Sequence, residues 1–93
     1  MAKATARHIL LNSEKLAKKI KKEIIKKEIT FEKAAKKFSK CPSGKSGGKL
    51  GTFSKGEMVK EFDQIVFKED LHRIHGPVKT EFGFHLIEIM ARY

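Results

Sequence analysis

The chain has 93 residues, 40% of them hydrophobic and 34% charged, with 21 Lys or Arg against 11 Asp or Glu and a formal charge of +10. That balance is too apolar for a disordered tail and too charged for a membrane protein, and the length suits one compact domain over residues 1–93. No apolar run approaches the roughly 18–20 residues of a spanning helix, Met1–Thr5 lacks the apolar core of a secretory leader, and a single cysteine, Cys41, excludes an internal disulfide framework, so the expected setting is a reducing cytoplasm, without membrane insertion.

Ala4 to Leu11 reads as a strand ending at the turn-prone Asn12-Ser13. Alternation puts Ala6, His8 and Leu10 on one face and Arg7, Ile9 and Leu11 on the other. Ser13 suits an N-cap with Glu14 at the positive end of the helix dipole. Leu16, Ala17, Ile20 and Ile24 then recur at helical spacing, predicting a first helix to about Lys27. Thr30 caps a second helix, with Ile29 and Ala34 placed as a hydrophobic staple. Its apolar face is Phe31, Ala34, Ala35 and Phe38.

From Cys41 to Lys49 every local signal is a loop. Leu50 to Ser54 suits a short strand that Gly56 ends. Met58, Phe62, Ile65 and Val66 define a third helix, and Glu69 to His75 has no clear period. Gly76 to Thr80 is extended, Glu81-Phe82-Gly83 turns, and Phe84 to Met90 is a last strand with His85, Ile87 and Ile89 on one face. Helices gathered between a first strand and a closing hairpin indicate an α+β fold.

Positive charge is concentrated early. Residues 1–40 hold thirteen basic and four acidic side chains, residues 41–93 eight and seven. The excess lies mainly on the first helix, at Lys15, Lys18, Lys19, Lys21, Lys22, Lys26 and Lys27. Such a face either keeps the protein solvated or attracts nucleic acid or another anionic partner by counterion release. No aromatic residue interleaves with these lysines to stack a base.

By alternation His8 and His85 both point to faces that include apolar residues. Spacing alone fits two hydrogen-bonded core histidines. A metal set of His8, His85 and Cys41 lacks any paired ligand spacing, so no metal or cofactor is expected. Cys41 is either an activated thiol or a small loop residue. Gly44-Lys45-Ser46 lacks the preceding glycine of a phosphate-binding P-loop. A Met-Phe-Leu cluster beside two histidines would suit a small apolar ring such as proline.

Four stretches in this order resemble the parvulin family of peptidyl-prolyl cis/trans isomerases. They are Ala6 to Leu10, Cys41 to Phe53, Lys55 to Phe62, and Gly76 to Ile87, and the resemblance spans essentially the whole chain. It implies a four-stranded antiparallel sheet surrounded by helices. It also implies Leu50, Met58 and Phe62 as floor and walls of a proline pocket, with Phe82 at the rim. His8 and His85 would be the paired histidines beneath, Thr80 their hydroxyl partner, and Cys41 the loop residue facing the substrate's peptide bond. The expected activity is rotation about X–Pro bonds in unfolded or nascent chains, by a monomer; the alternative is a proline-segment binding or chaperone module whose basic helix recruits an anionic partner. Phospho-specific relatives carry a longer, arginine-rich insertion after the first strand. Here that turn is only Leu11-Asn12-Ser13-Glu14, so no phosphate requirement is expected, while Lys45, Lys49 and Lys55 leave room for acidic flanks.

Overall fold

A computed structural model describes residues 2–93. Among them, strands β1 (Lys3–Leu11), β2 (Lys49–Ser54), β3 (Ile74–Thr80) and β4 (Gly83–Arg92) make one antiparallel sheet in the order β2-β1-β4-β3. Helices α1 (Glu14–Ile25), α2 (Phe31–Phe38) and α3 (Lys60–Val66) pack on it. The α+β reading and the element order hold. The central pair β1-β4 could not be read from sequence order, because the strands are joined only through everything between them.

Both faces of β1 are covered, which is why its apolar residues are not confined to one side. Ile9 and Leu11 join Leu86 under α1 and α2, against Ala17, Ile20, Phe31, Ala34 and Ala35. Ala4 and Ala6 join Ile87 on the other face, against Phe53, Phe62 and Val66. Each fully buried side chain of the size of Ile, Leu or Phe contributes about 1.5–3 kcal/mol. The pairing of Ile9 with Leu86 and of His8 with Ile87 fixes the register. A slip of one residue would exchange the two cores.

The caps lie where the sequence places them. Ser13 Oγ accepts the Leu16 N–H at 3.2 Å and Thr30 Oγ1 accepts the Lys33 N–H at 3.1 Å. Helix α1 stops at Ile25, short of the expected end, and Lys27 turns into the left-handed region at φ 63°. Residues Pro42–Ser46 form a 3-10 turn inside the stretch expected as irregular. Pro42 opens it, with φ pre-set for a helical start and no N–H to satisfy. At Gly48, φ is +87° and a Cβ would collide with the His8 carbonyl oxygen, so glycine alone lets this turn lie on β1. The Gly48 carbonyl then accepts the His8 N–H at 2.9 Å.

Met58 stands outside α3, contrary to the helical spacing with Phe62. Gly56 adopts φ +95° and Val59, extended at φ −61° and ψ 152°, is the N-cap, so the helix begins only at Lys60. The other end is held by Arg92, whose Nη1 donates to the carbonyls of Val66 at 3.1 Å and Glu69 at 2.6 Å. β3 begins at Ile74, earlier than the aperiodic stretch suggests, and β4 runs from Gly83 to Arg92, longer at both ends than expected. No helix among the described residues is long and apolar enough to cross a membrane.

Candidate active site

His8 and His85 come together because of the sheet register. His8 faces Ile87 across the β1-β4 pair, and His85 faces Leu10. The two histidines are therefore diagonal neighbours on one face, a spacing that long side chains bridge. Their rings lie nearly coplanar and edge to edge, with centroids 5.2 Å apart and planes 16° apart, and Nδ1 meets Nδ1 at 3.0 Å. Both are buried, with 6% and 4% of their surface exposed. Phe62, from α3, stands edge-on to both rings at 5.7 and 5.9 Å.

The outer ring nitrogens are also engaged. His85 Nε2 lies 2.7 Å from Thr80 Oγ1, and that hydroxyl oxygen accepts the Phe82 N–H at 3.1 Å. His8 Nε2 lies 3.2 Å from Ser43 Oγ, which donates to Cys41 Sγ at 3.3 Å. Because the Ser43 hydroxyl is spent on sulfur, its oxygen accepts from His8 Nε2–H. His8 Nδ1 then accepts from His85 Nδ1–H, and His85 Nε2 accepts from the Thr80 hydroxyl. In this orientation, set by the Ser43 hydroxyl donating to sulfur, each N–H and O–H from Phe82 to Ser43 has an acceptor.

The chain requires two neutral rings, and the surroundings supply them. The His8 pKa is lowered to about 4, by burial first and by the neighbouring His85 second. That of His85 is lowered by burial, with the Glu61 carboxylate opposing. Low polarity disfavours the imidazolium in both cases.

Above the rings is a cavity of about 380 Å³. Its walls are Leu10, Leu50, Met58, Val59 and Phe62; Phe82 is at its rim, 63% exposed, and Lys40, Cys41 and Pro42 close one side. Seven of the eight site residues expected from the sequence line this cavity: His8, Cys41, Leu50, Met58, Phe62, Phe82 and His85. The eighth, Thr80, lies behind it, bonded to His85. Phe53 is packed between Phe62 and Phe67 at 6.1 Å from each, as ordinary core. Ser43, the link from His8 to Cys41, is absent from the sequence-based set; its place two residues after Cys41 is the available signal. Lys49 lines a separate hollow with Thr5, Arg7 and Met90.

Chemically, the arrangement is an apolar pocket with a neutral, fully bonded polar floor. No group of three His, Cys, Asp or Glu among the described residues could hold a metal ion. Nothing in the chain of bonds leaves a base free to take a proton from a ligand. The cavity fits a small hydrophobic ring, with Cys41 and the histidines beside it.

Residues 4–91 match the family model described as Rotamase, the PPIC-type PPIase domain. The chain is 43% identical over 88 residues to the foldase protein PrsA of Geobacillus kaustophilus, covering 94% of this chain and 31% of that protein. Among solved structures, the peptidylprolyl isomerase PrsA from Bacillus anthracis superposes with a TM-score of 0.92 at 34% identity, over 99% of this chain and 42% of that one. The parvulin NmPin of Nitrosopumilus maritimus superposes with a TM-score of 0.85 at 36% identity, over 98% of both chains. The chain thus spans about a third of the length of the curated PrsA relative and nearly all of the small parvulin.

Proposed function

The chain belongs to the PPIC-type peptidyl-prolyl isomerase, or parvulin, family, and we propose that it catalyses cis/trans rotation about X–Pro bonds in unfolded or nascent polypeptides. The observation that carries this reading is the apolar cavity over a pair of neutral, mutually bonded histidines.

The physical task suits those parts. Rotation about the X–Pro bond faces a barrier near 20 kcal/mol and takes about 10–100 s unaided. No bond is made or broken. In the twisted transition state amide resonance is lost and the carbonyl becomes ketone-like. A pocket that grips the prolyl ring while the flanking chain is held separately favours the twisted state over either planar one. Removal of water helps, because the planar amide is the form that water hydrogen-bonds best.

In this reading Leu50, Met58 and Phe62 hold the ring, and Phe82 covers it from the rim. His8 and His85 shape and polarise the floor, Thr80 fixes the His85 ring, and Cys41 lies beside the rotating bond without attacking it. The Ser43 hydroxyl directed at the sulfur is consistent with a thiol held as a bonded neighbour. Cys41→Asp is expected to keep substantial activity, and a thiol adduct trapped during turnover would overturn the non-covalent mechanism. The short β1-α1 turn, with one acid and no arginine, supports a substrate without phosphate.

The remaining parts of the proposal are a monomer working in the cytoplasm and a weak accessory contact of α1 with nucleic acid or another anionic surface. Lys21 is already committed there, donating to the Gly76 carbonyl at 2.8 Å, so the free positive face is made by its neighbours. Micromolar, salt-dependent affinity for DNA or RNA supports that partner, and absence of binding at low salt removes it. Cell fractionation and sedimentation test compartment and oligomeric state.

The central test is exchange NMR on Ala-Xaa-Pro-Phe peptides with catalytic amounts of protein. Accelerated cis/trans exchange that Phe62→Ala abolishes, with that variant shown folded by circular dichroism, establishes the isomerase. Folded protein that accelerates none of the peptides but binds them makes it a proline-segment binding module.

A further inference from the structure

The cavity assigned above to the prolyl ring has a charged neighbour. Lys40, Cys41 and Pro42 line it, and the same three residues line a second depression of about 340 Å³ completed by Lys36, Ser39, Gly44 and Lys45. No Asp or Glu lines either one. Lys36 is engaged by Glu32 at 3.1 Å. Lys40 and Lys45 are exposed, and among the described residues neither has a carboxylate within 4.0 Å. The depression beside Met58 differs, because Asp63 lies among its Lys55, Lys60 and Lys68.

Two exposed ammonium groups without a carboxylate partner, beside a pocket for a neutral ring, favour a neighbouring side chain of opposite charge over one of like charge. An extended chain advances about 3.3 Å per residue, so with a proline in the cavity, a neighbouring side chain reaches the adjoining depression. We propose that Lys40 and Lys45 form a specificity subsite for a carboxylate, so that Glu or Asp next to proline, on the Cys41 side, is preferred. This rests on the isomerase reading and names the substrate class of the same site. Their backbones, at the exit of the second helix and on the 3-10 turn, are anchored to β1, so both lysines start beside the cavity while their side chains stay solvated. Lys40 N–H donates to the Leu10 carbonyl at 2.8 Å, and the His8 N–H donates to Gly48 just beyond the turn.

The experiment is exchange NMR on Ala-Ala-Pro-Phe, on Ala-Glu-Pro-Phe and Ala-Lys-Pro-Phe, and on the pair with Glu or Lys after the proline. Acceleration of Ala-Ala-Pro-Phe tests the isomerase reading by itself. Given that, Glu on one side of the proline is expected to exceed Lys at the same place by about fivefold in kcat/KM, the scale of an exposed ion pair. The ratio should fall toward one near 1 M salt, where the Debye length is about 3 Å. Lys45→Glu and Lys40→Glu should each lower or invert it. Reading a ratio removes any general change in activity, and both side chains are exposed, so the variants fold. Equal rates for Glu and Lys at both positions, or a Glu preference that neither variant moves, would overturn the subsite while leaving the isomerase standing.

Discussion

His8 and His85 share a single proton between their Nδ1 atoms, 3.0 Å apart. Two neutral rings satisfy that contact; a proton added to the accepting nitrogen sets two N–H groups against each other. Burial lowers both pKa values, that of His8 to about 4. In the unfolded chain a histidine titrates near 6.5, so between pH 6.5 and pH 4 the unfolded state binds more protons than the folded one. The stabilisation is complete above pH 6.5 and is lost as pH falls. For His8 alone the loss reaches about 2 kcal/mol by pH 5, before most carboxylates titrate. Urea unfolding from pH 7 to pH 5 checks it, and a flat stability over that window would contradict the neutral pair.

Ser43 decides which way the shared proton points. Its hydroxyl joins His8 Nε2 at 3.2 Å to Cys41 Sγ at 3.3 Å. Ser43→Ala leaves the buried His8 Nε2–H without an acceptor and should cost about 1–3 kcal/mol. Ser43→Thr keeps a hydroxyl and should restore most of it. Nitrogen-15 shifts of the two rings provide a readout that packing alone would not move: the wild type should show His8 as the Nε2–H form and His85 as the Nδ1–H form. An unchanged tautomer pattern in Ser43→Ala would show that the serine does not set it.

This difference between the two ends of the bond chain shows how much sequence can carry. The apolar neighbours of His8 and His85 mark both as inward-facing, because strand alternation is a local property. Their contact is not local: it depends on His8 facing Ile87 and His85 facing Leu10, which only the β1-β4 register supplies. Ser43 escaped because a Gly-rich stretch reads as irregular, whereas Pro42 and the packing of Gly48 on β1 make it an ordered turn. Met58 reads as helical for the converse reason. Its spacing to Phe62 satisfies helical periodicity, but the left-handed Gly56 and extended Val59 override it. The ring of apolar residues around the cavity was legible mainly through the family resemblance, since no spacing rule brings β2, α3 and the final turn to one place.

Asp63 holds the Met58 turn from behind. Its Oδ2 accepts the Gly56 N–H at 2.6 Å, while Oδ1 is buried without a hydrogen-bond partner among the described residues. Hydrogen bonds to a charged group are worth about 1.5–3 kcal/mol. Asp63→Ala should release residues 55–58 and raise KM for proline peptides, with kcat less affected. Asp63→Asn keeps an oxygen for Gly56 and should lie near the wild type. If Asp63→Ala changes thermal stability alone and leaves KM as it was, the aspartate is a structural residue without influence on the pocket.

Phe62 and Met58 line one cavity but should fail differently. Phe62 is 3% exposed and packs against His8, His85 and Phe53, so truncation opens a void beneath the floor as well as in the wall. Phe62→Ala should cost about 3–5 kcal/mol of stability along with activity. Met58 is half-buried on a turn outside α3, against the second core but not within it. Met58→Ala removes mainly surface that a prolyl ring would touch. It should lower kcat/KM by about tenfold or more, with a stability change below about 1 kcal/mol. Paired denaturation and exchange measurements separate the two. A fully active, folded Met58→Ala would place the ring-binding wall elsewhere in the cavity, with Leu50 and Val59 the next side chains to truncate.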